Sequence, residues 1–217
     1  MNRTRMIGAL FLAGFLFYGV GFALVGSAIG DDGALTARST LVAGALLMLL
    51  NVLVDVGKGV LFFPILNSRG QYTALLYLTM MAIEAVLLGF GVTFLLMLVP
   101  LHDRAADPVF GLLAVDANNI VYQIGEFLLG FAGVFLCLLL ARTRWLPRAL
   151  AWFGAIGYAI FAAGTVGELL GVPVGLALSI PGGLFEVVLG VFLLVRGAQQ
   201  ARPRRPLGRA KPVPAVG

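Results

Sequence analysis

The stretch L-V-A-G-A-L-L-M-L-L-N-V-L-V-D-V-G-K-G-V-L-F-F-P-I-L, from Leu41 to Leu66, decides the fold. At about 1.5 Å of rise per residue it is long enough, as a helix, to cross a hydrocarbon core about 30 Å thick. Only Asn51, Asp55 and Lys58 interrupt its apolar character. A helix is the one open-chain solution in lipid, because an unpaired backbone amide there costs several kcal/mol.

Five further apolar stretches match it: Met6–Ile29, Tyr72–Val99, Asn119–Leu140, Leu150–Leu170 and Gly175–Val195. Turn and interface residues separate them, among them Asp31, Asp32 and Gly33; Asn67 to Gly70; Pro100, His102 and Asp103; Pro147; and Pro173. The 217 residues are 60% hydrophobic and 12% charged, with a mean hydropathy of +1.02, which no water-soluble core of this size could absorb. The expected architecture is therefore all-α: a polytopic membrane bundle of six transmembrane helices over residues 1–197. A basic, disordered cytoplasmic tail is expected over 198–217. Arg3 and Arg5 ahead of the first stretch resemble a secretory signal, but its apolar run is too long for one, so it reads as an uncleaved span.

The basic residues set the orientation. Arg3, Arg5, Arg69, Arg142, Arg144, Arg148, Arg196 and the tail residues Arg202, Arg204, Arg205, Arg209 and Lys211 fall on one side, and only Arg38 and Arg104 on the other. Such a bias predicts both termini in the cytoplasm of a bacterial cytoplasmic membrane. Trp145 and Trp152 flank a connection on the same basic side, where indole rings favour the headgroup layer. The net charge of +5 is thus read as orientation signals and as contact between the tail and anionic lipid headgroups, not as a nucleic-acid surface.

Several chemistries are excluded. The single cysteine, Cys137, lies in an apolar run, and the single histidine, His102, lies in an expected outer loop. There is no H-E-x-x-H, no G-x-S-x-G and no phosphate-binding glycine loop, so neither a metal site nor a cofactor is expected, and an enzyme is disfavoured.

Ionisable residues inside spans are costly and are functional candidates by default. Asn51, Asp55 and Lys58 follow at steps of four and three and share one helix face. Counted from Arg69, Asp55 and Glu84 lie at nearly the same depth, and Glu186 lies near the middle of the last span. Asn51, Asp55, Lys58, Glu84 and Glu186 form the candidate intramembrane polar site. Tyr122, Gln123, Glu126 and Glu168 are secondary candidates, with Glu126 and Glu168 expected closer to the outer surface. One reading of this cluster is a small solute, ion or proton-coupled transporter. The other is a non-catalytic scaffold or subunit forming a homo- or hetero-oligomer through glycine-rich helix faces, such as Gly182, Glu186 and Gly190.

The segments F-P-I-L at Phe63–Leu66, E-A-V-L-L after Tyr77 at Glu84–Leu88, W-L-P-R-A-L-A-W-F-G-A-I-G at Trp145–Gly157 and I-P-G-G-L-F-E-V-V-L-G-V-F-L-L-V-R-G at Ile180–Gly197 resemble the bacterial integral-membrane family catalogued as domain of unknown function 4386. The likeness runs from the second span to Gly197 and implies a six-span bundle with no established activity. It marks Glu84, Pro147, Arg148, Pro181 and Glu186 as recurrent positions. Where members commonly carry an arginine, three residues before the third-span glutamate, this chain has Met81. Lys58 on the neighbouring span is expected to replace that arginine as partner of Glu84, as well as pairing with Asp55.

Overall fold

The structure is a computed structural model that describes residues 2–200, apart from the side chains of 175, 176 and 197–200. The tail expected over 198–217 falls, beyond Gln200, outside the described residues. Six helices make up the described chain: α1 Arg3–Ser27, α2 Arg38–Asn67, α3 Gln71–Asp103, α4 Val109–Arg142, α5 Arg148–Leu169 and α6 Gly175–Gln200. All six are long and apolar enough to cross a membrane.

Two boundaries differ from the sequence reading. Helix α3 continues through Pro100 and His102, which were expected in a loop, and α4 starts at Val109 and not near Asn119. Pro100 lies in the last turn of α3, where a proline removes a single backbone hydrogen bond. Asp116, Asn118 and Asn119 look like loop composition, yet Asn118 is buried, with its side-chain oxygen against the bare backbone of Gly91.

Each helix packs chiefly on its neighbours in sequence, and α6 returns to pack on α1, which closes the bundle into a ring. Missing side chains make the closest approaches possible. A methyl group on Gly8 would stand 2.5 Å from the Gly190 carbonyl oxygen, and one on Gly21 would stand 2.8 Å from that of Gly44. Gly154 makes room in the same way for the Phe185 ring and the Cys137 sulfur.

The ring is apolar outside and keeps the charged side chains at the middle of its spans inside. On α2, Leu53 is 68% exposed while Asp55, two residues on, is 3% exposed. That inverts the pattern of a water-soluble bundle and matches a lipid surround.

Apolar packing fills the ring above and below its middle. Toward the face carrying Arg69, Trp145 and Arg196, here the basic face, a cluster including Phe11, Phe62, Tyr77, Leu136 and Phe185 closes the interior. Toward the opposite, acidic face, Val25, Leu41, Met48, Val92 and Leu95 do the same. Trp145 anchors the basic face: its carbonyl accepts a hydrogen bond from Arg196, whose guanidinium stacks 4.8 Å from the indole. At the acidic face the α1–α2 connection docks on the start of α4, where Gly33, at φ +85°, presses its carbonyl against Gly111.

Candidate functional site

Between the two apolar clusters lies a cavity of about 180 Å³ walled by all six helices. Helix α2 supplies its ion pair. The Lys58 ammonium lies 2.7 Å from one Asp55 oxygen, and the Asn51 amide donates to the other at 2.8 Å. Steps of four and three on one helix face give this triad its geometry without help from other elements. Lys58 also stands over the Phe11 ring, 5.1 Å from its centroid. Gly14 of α1 admits this polar face: a methyl there would stand 3.1 Å from Asn51 Oδ1 and 3.2 Å from Lys58 Nζ.

Helix α3 contributes Glu84. Its Oε2 is buried and has no hydrogen-bond partner, and the Tyr77 hydroxyl two turns earlier is in the same condition. The expected ion pair between Lys58 and Glu84 is not formed, because Asp55, one turn away on the same helix, takes the ammonium. Met81 is fully buried, with its Cβ 3.2 Å from where a methyl on Gly59 would lie. It serves as packing between α2 and α3.

Helix α4 contributes Glu126, which lines the cavity and is 8% exposed. This corrects its expected place near the outer surface: because α4 begins at Val109, Glu126 falls at mid-helix. Tyr122, one turn earlier, also lines the cavity, and its ring stacks on Tyr18 of α1 with centroids 5.1 Å apart and planes 14° from parallel. Helices α1 and α4 lie across the ring from each other, so this pair spans the interior.

Helix α6 contributes Glu186, which accepts a hydrogen bond from the Tyr158 hydroxyl of α5 at 2.8 Å. Gly133 of α4 gives the Tyr158 ring its space, since a methyl there would stand 2.5 Å from it. Asn51, Asp55, Lys58, Glu84, Tyr122, Glu126 and Glu186 thus face one cavity. Gln123 is not part of its wall, and neither is Glu168, which sits in the last turn of α5. Among the described residues no three acidic, histidine or cysteine side chains converge as a metal site.

The sequence reading missed Tyr18, Tyr77 and Tyr158. Tyr77 lies seven positions before Glu84, which places both on one face, and Tyr158 is the single tyrosine of α5. Glu126 had a signal of its own: the string E-F-L-L-G that it opens echoes E-A-V-L-L-G at Glu84 and E-V-V-L-G at Glu186.

One ammonium and four carboxyl groups thus face one cavity inside a ring that is apolar outside. This arrangement defines a multi-pass α-helical integral membrane protein with a polar interior. The chain belongs to the family described as Domain of unknown function (DUF4386), which matches residues 6–197 and so takes in the first helix as well. No curated protein and no solved structure matches it.

Proposed function

We propose that the central cavity binds a proton or a small cation and that the protein moves this species, alone or coupled to a solute, across the cytoplasmic membrane of a bacterium. Both termini and the basic face then lie in the cytoplasm, as the distribution of arginines favours. The observation that carries the reading is the Glu84 oxygen, buried at the cavity with nothing to bind it. Buried carboxyl groups persist when paired, hydrogen-bonded or neutralised. Lys58 is committed to Asp55 and Glu186 accepts from Tyr158, so Glu84 is the carboxyl that looks to a bound proton or cation for neutralisation.

The scaffold reading has less support. Gly8, Gly21, Gly44, Gly130, Gly157 and Gly190 are turned to neighbours within the ring and are not free for partners.

Vesicles reconstituted with the purified protein and loaded with a pH-sensitive dye test the proposal. With a potassium diffusion potential negative inside, wild-type vesicles should acidify faster than empty ones, and Glu84→Gln and Glu186→Gln should reduce the rate to background. Equal rates in wild-type and Glu84→Gln vesicles would remove the case for transport.

A further inference from the structure

We infer that the cavity takes its ligand sideways from the bilayer, through a crevice between α1 and α6, and that this ligand is a lipophilic organic cation with an ammonium head and an apolar tail. The inference rests on the reading of the cavity as a cation site, and adds to it a route and a ligand class.

At its glycines, the packing of α1 on α6 loosens from the basic face toward the acidic face. A methyl on Gly8 would stand 2.5 Å from the Gly190 carbonyl oxygen, and one on Gly183 would stand 3.5 Å from the Phe15 ring. One on Gly19 would meet nothing within 4 Å. The same loosening residues belong to the cavity wall: Phe15 and Gly19 of α1, and Ser179 and Gly183 of α6. Phe15 is 43% exposed on the outside of the ring, so it borders the cavity and the surroundings at once.

The two ends of the ring are filled. Toward the basic face stand Phe11, Phe62 and Phe185, all at most 1% exposed. Toward the acidic face, the stacked rings of Tyr18 and Tyr122 cross the interior, with Met48 and Val92 packed beyond them. A ligand that enters between α1 and α6 does so at the depth of the hydrocarbon, where Ile180 and Leu184 line α6 with exposed apolar side chains.

Such a route selects molecules already dissolved in the bilayer, and the cavity selects among them by charge. Beyond the Lys58–Asp55 pair it offers Glu84, Glu126 and Glu186, and the side chains of Tyr18, Tyr122 and Phe161 stand in the same wall. Carboxyl groups with aromatic side chains beside them are the combination that holds ammonium groups. An anionic amphiphile would place like charge beside these carboxyl groups.

Binding of dodecyltrimethylammonium and of tetramethylammonium, which has the same head without the tail, tests this on the full chain in maltoside micelles, followed by the rise in unfolding temperature. The long-chain cation should saturate at a concentration at least about tenfold below its tailless analogue. Gly19→Trp, at a position where a Cβ meets nothing within 4 Å, puts an indole at the crevice mouth and should weaken the long-chain cation about tenfold or more. Gly26→Trp, also in open space on α1 but away from the cavity, should leave it unchanged. Equal binding of both cations would overturn the ligand class, and unaltered binding in Gly19→Trp would overturn the route, with the cation site intact in both cases. If neither cation binds, and Glu84→Gln does not change the response to either, the cation-site reading fails and takes this inference with it.

Discussion

The Tyr158 hydroxyl on α5 donates to Glu186 on α6 across 2.8 Å, and both residues are buried. It is a direct polar tie between these two helices, and it holds one cavity carboxyl in a fixed orientation. Tyr158→Phe removes the donor and leaves the ring in place. The expected loss is about 1 kcal/mol, within the usual range for hydrogen bonds between membrane helices. Reversible unfolding in mixed micelles measures it, and a variant as stable as wild type would show that the bond contributes nothing.

Lys58 and Asp55 form a buried pair with side-chain exposures of 6% and 4%. Lys58→Met strands the carboxylate, and removing one partner of such a pair costs about 3–5 kcal/mol. Lys58→Met combined with Asp55→Asn should recover much of this loss. The coupling with Asp55→Asn should exceed that with Glu84→Gln, because the ammonium is bonded to Asp55 and not to Glu84. A double-mutant cycle on unfolding free energies decides between them.

Two glycines of α1 should respond in opposite ways to the same change. Gly8→Ala drives a methyl into the Gly190 carbonyl and should cost about 1–3 kcal/mol by forcing α1 off α6. Gly26→Ala meets open space, so it should be neutral or add up to about 1 kcal/mol through helix propensity. Thermal unfolding of the two variants side by side checks the contrast.

Arg38 and Asp103 join α2 to α3 at the acidic face at 3.3 Å, but their side chains are 62% and 51% exposed. Arg38→Ala should therefore change stability by less than about 1 kcal/mol, and added salt should erase even that. A larger loss in high salt would mean that the pair is shielded from solvent.

Much of this arrangement was legible in the sequence. The bilayer forbids most alternatives to helices, so Leu41–Leu66 alone establishes the class, and three polar residues on one face of α2 announce the interior. Glu126 was misplaced because Asp116, Asn118 and Asn119 have loop composition. In the fold Asn118 is accommodated by Gly91 on another helix, a fact about neighbours that local composition does not carry. The exclusion of Glu84 from the Lys58 pair, and the approach of Tyr18 to Tyr122 across the ring, depend on tertiary geometry in the same way. The loosening of the packing between α1 and α6 depends on which glycines meet side chains and which meet nothing, and spacing does not reveal that.

Closure of the ring by its first and last helices sets an order of events during biosynthesis. Asp55, Lys58, Glu84 and Glu126 enter the membrane on α2, α3 and α4, but the wall that completes their enclosure arrives only when α6 docks along Gly8 and Leu12 of α1. Until then these residues depend on water, the insertion machinery or one another for solvation. The nascent chain is therefore most vulnerable to quality-control proteolysis in the interval between synthesis of the fourth helix and arrival of the sixth.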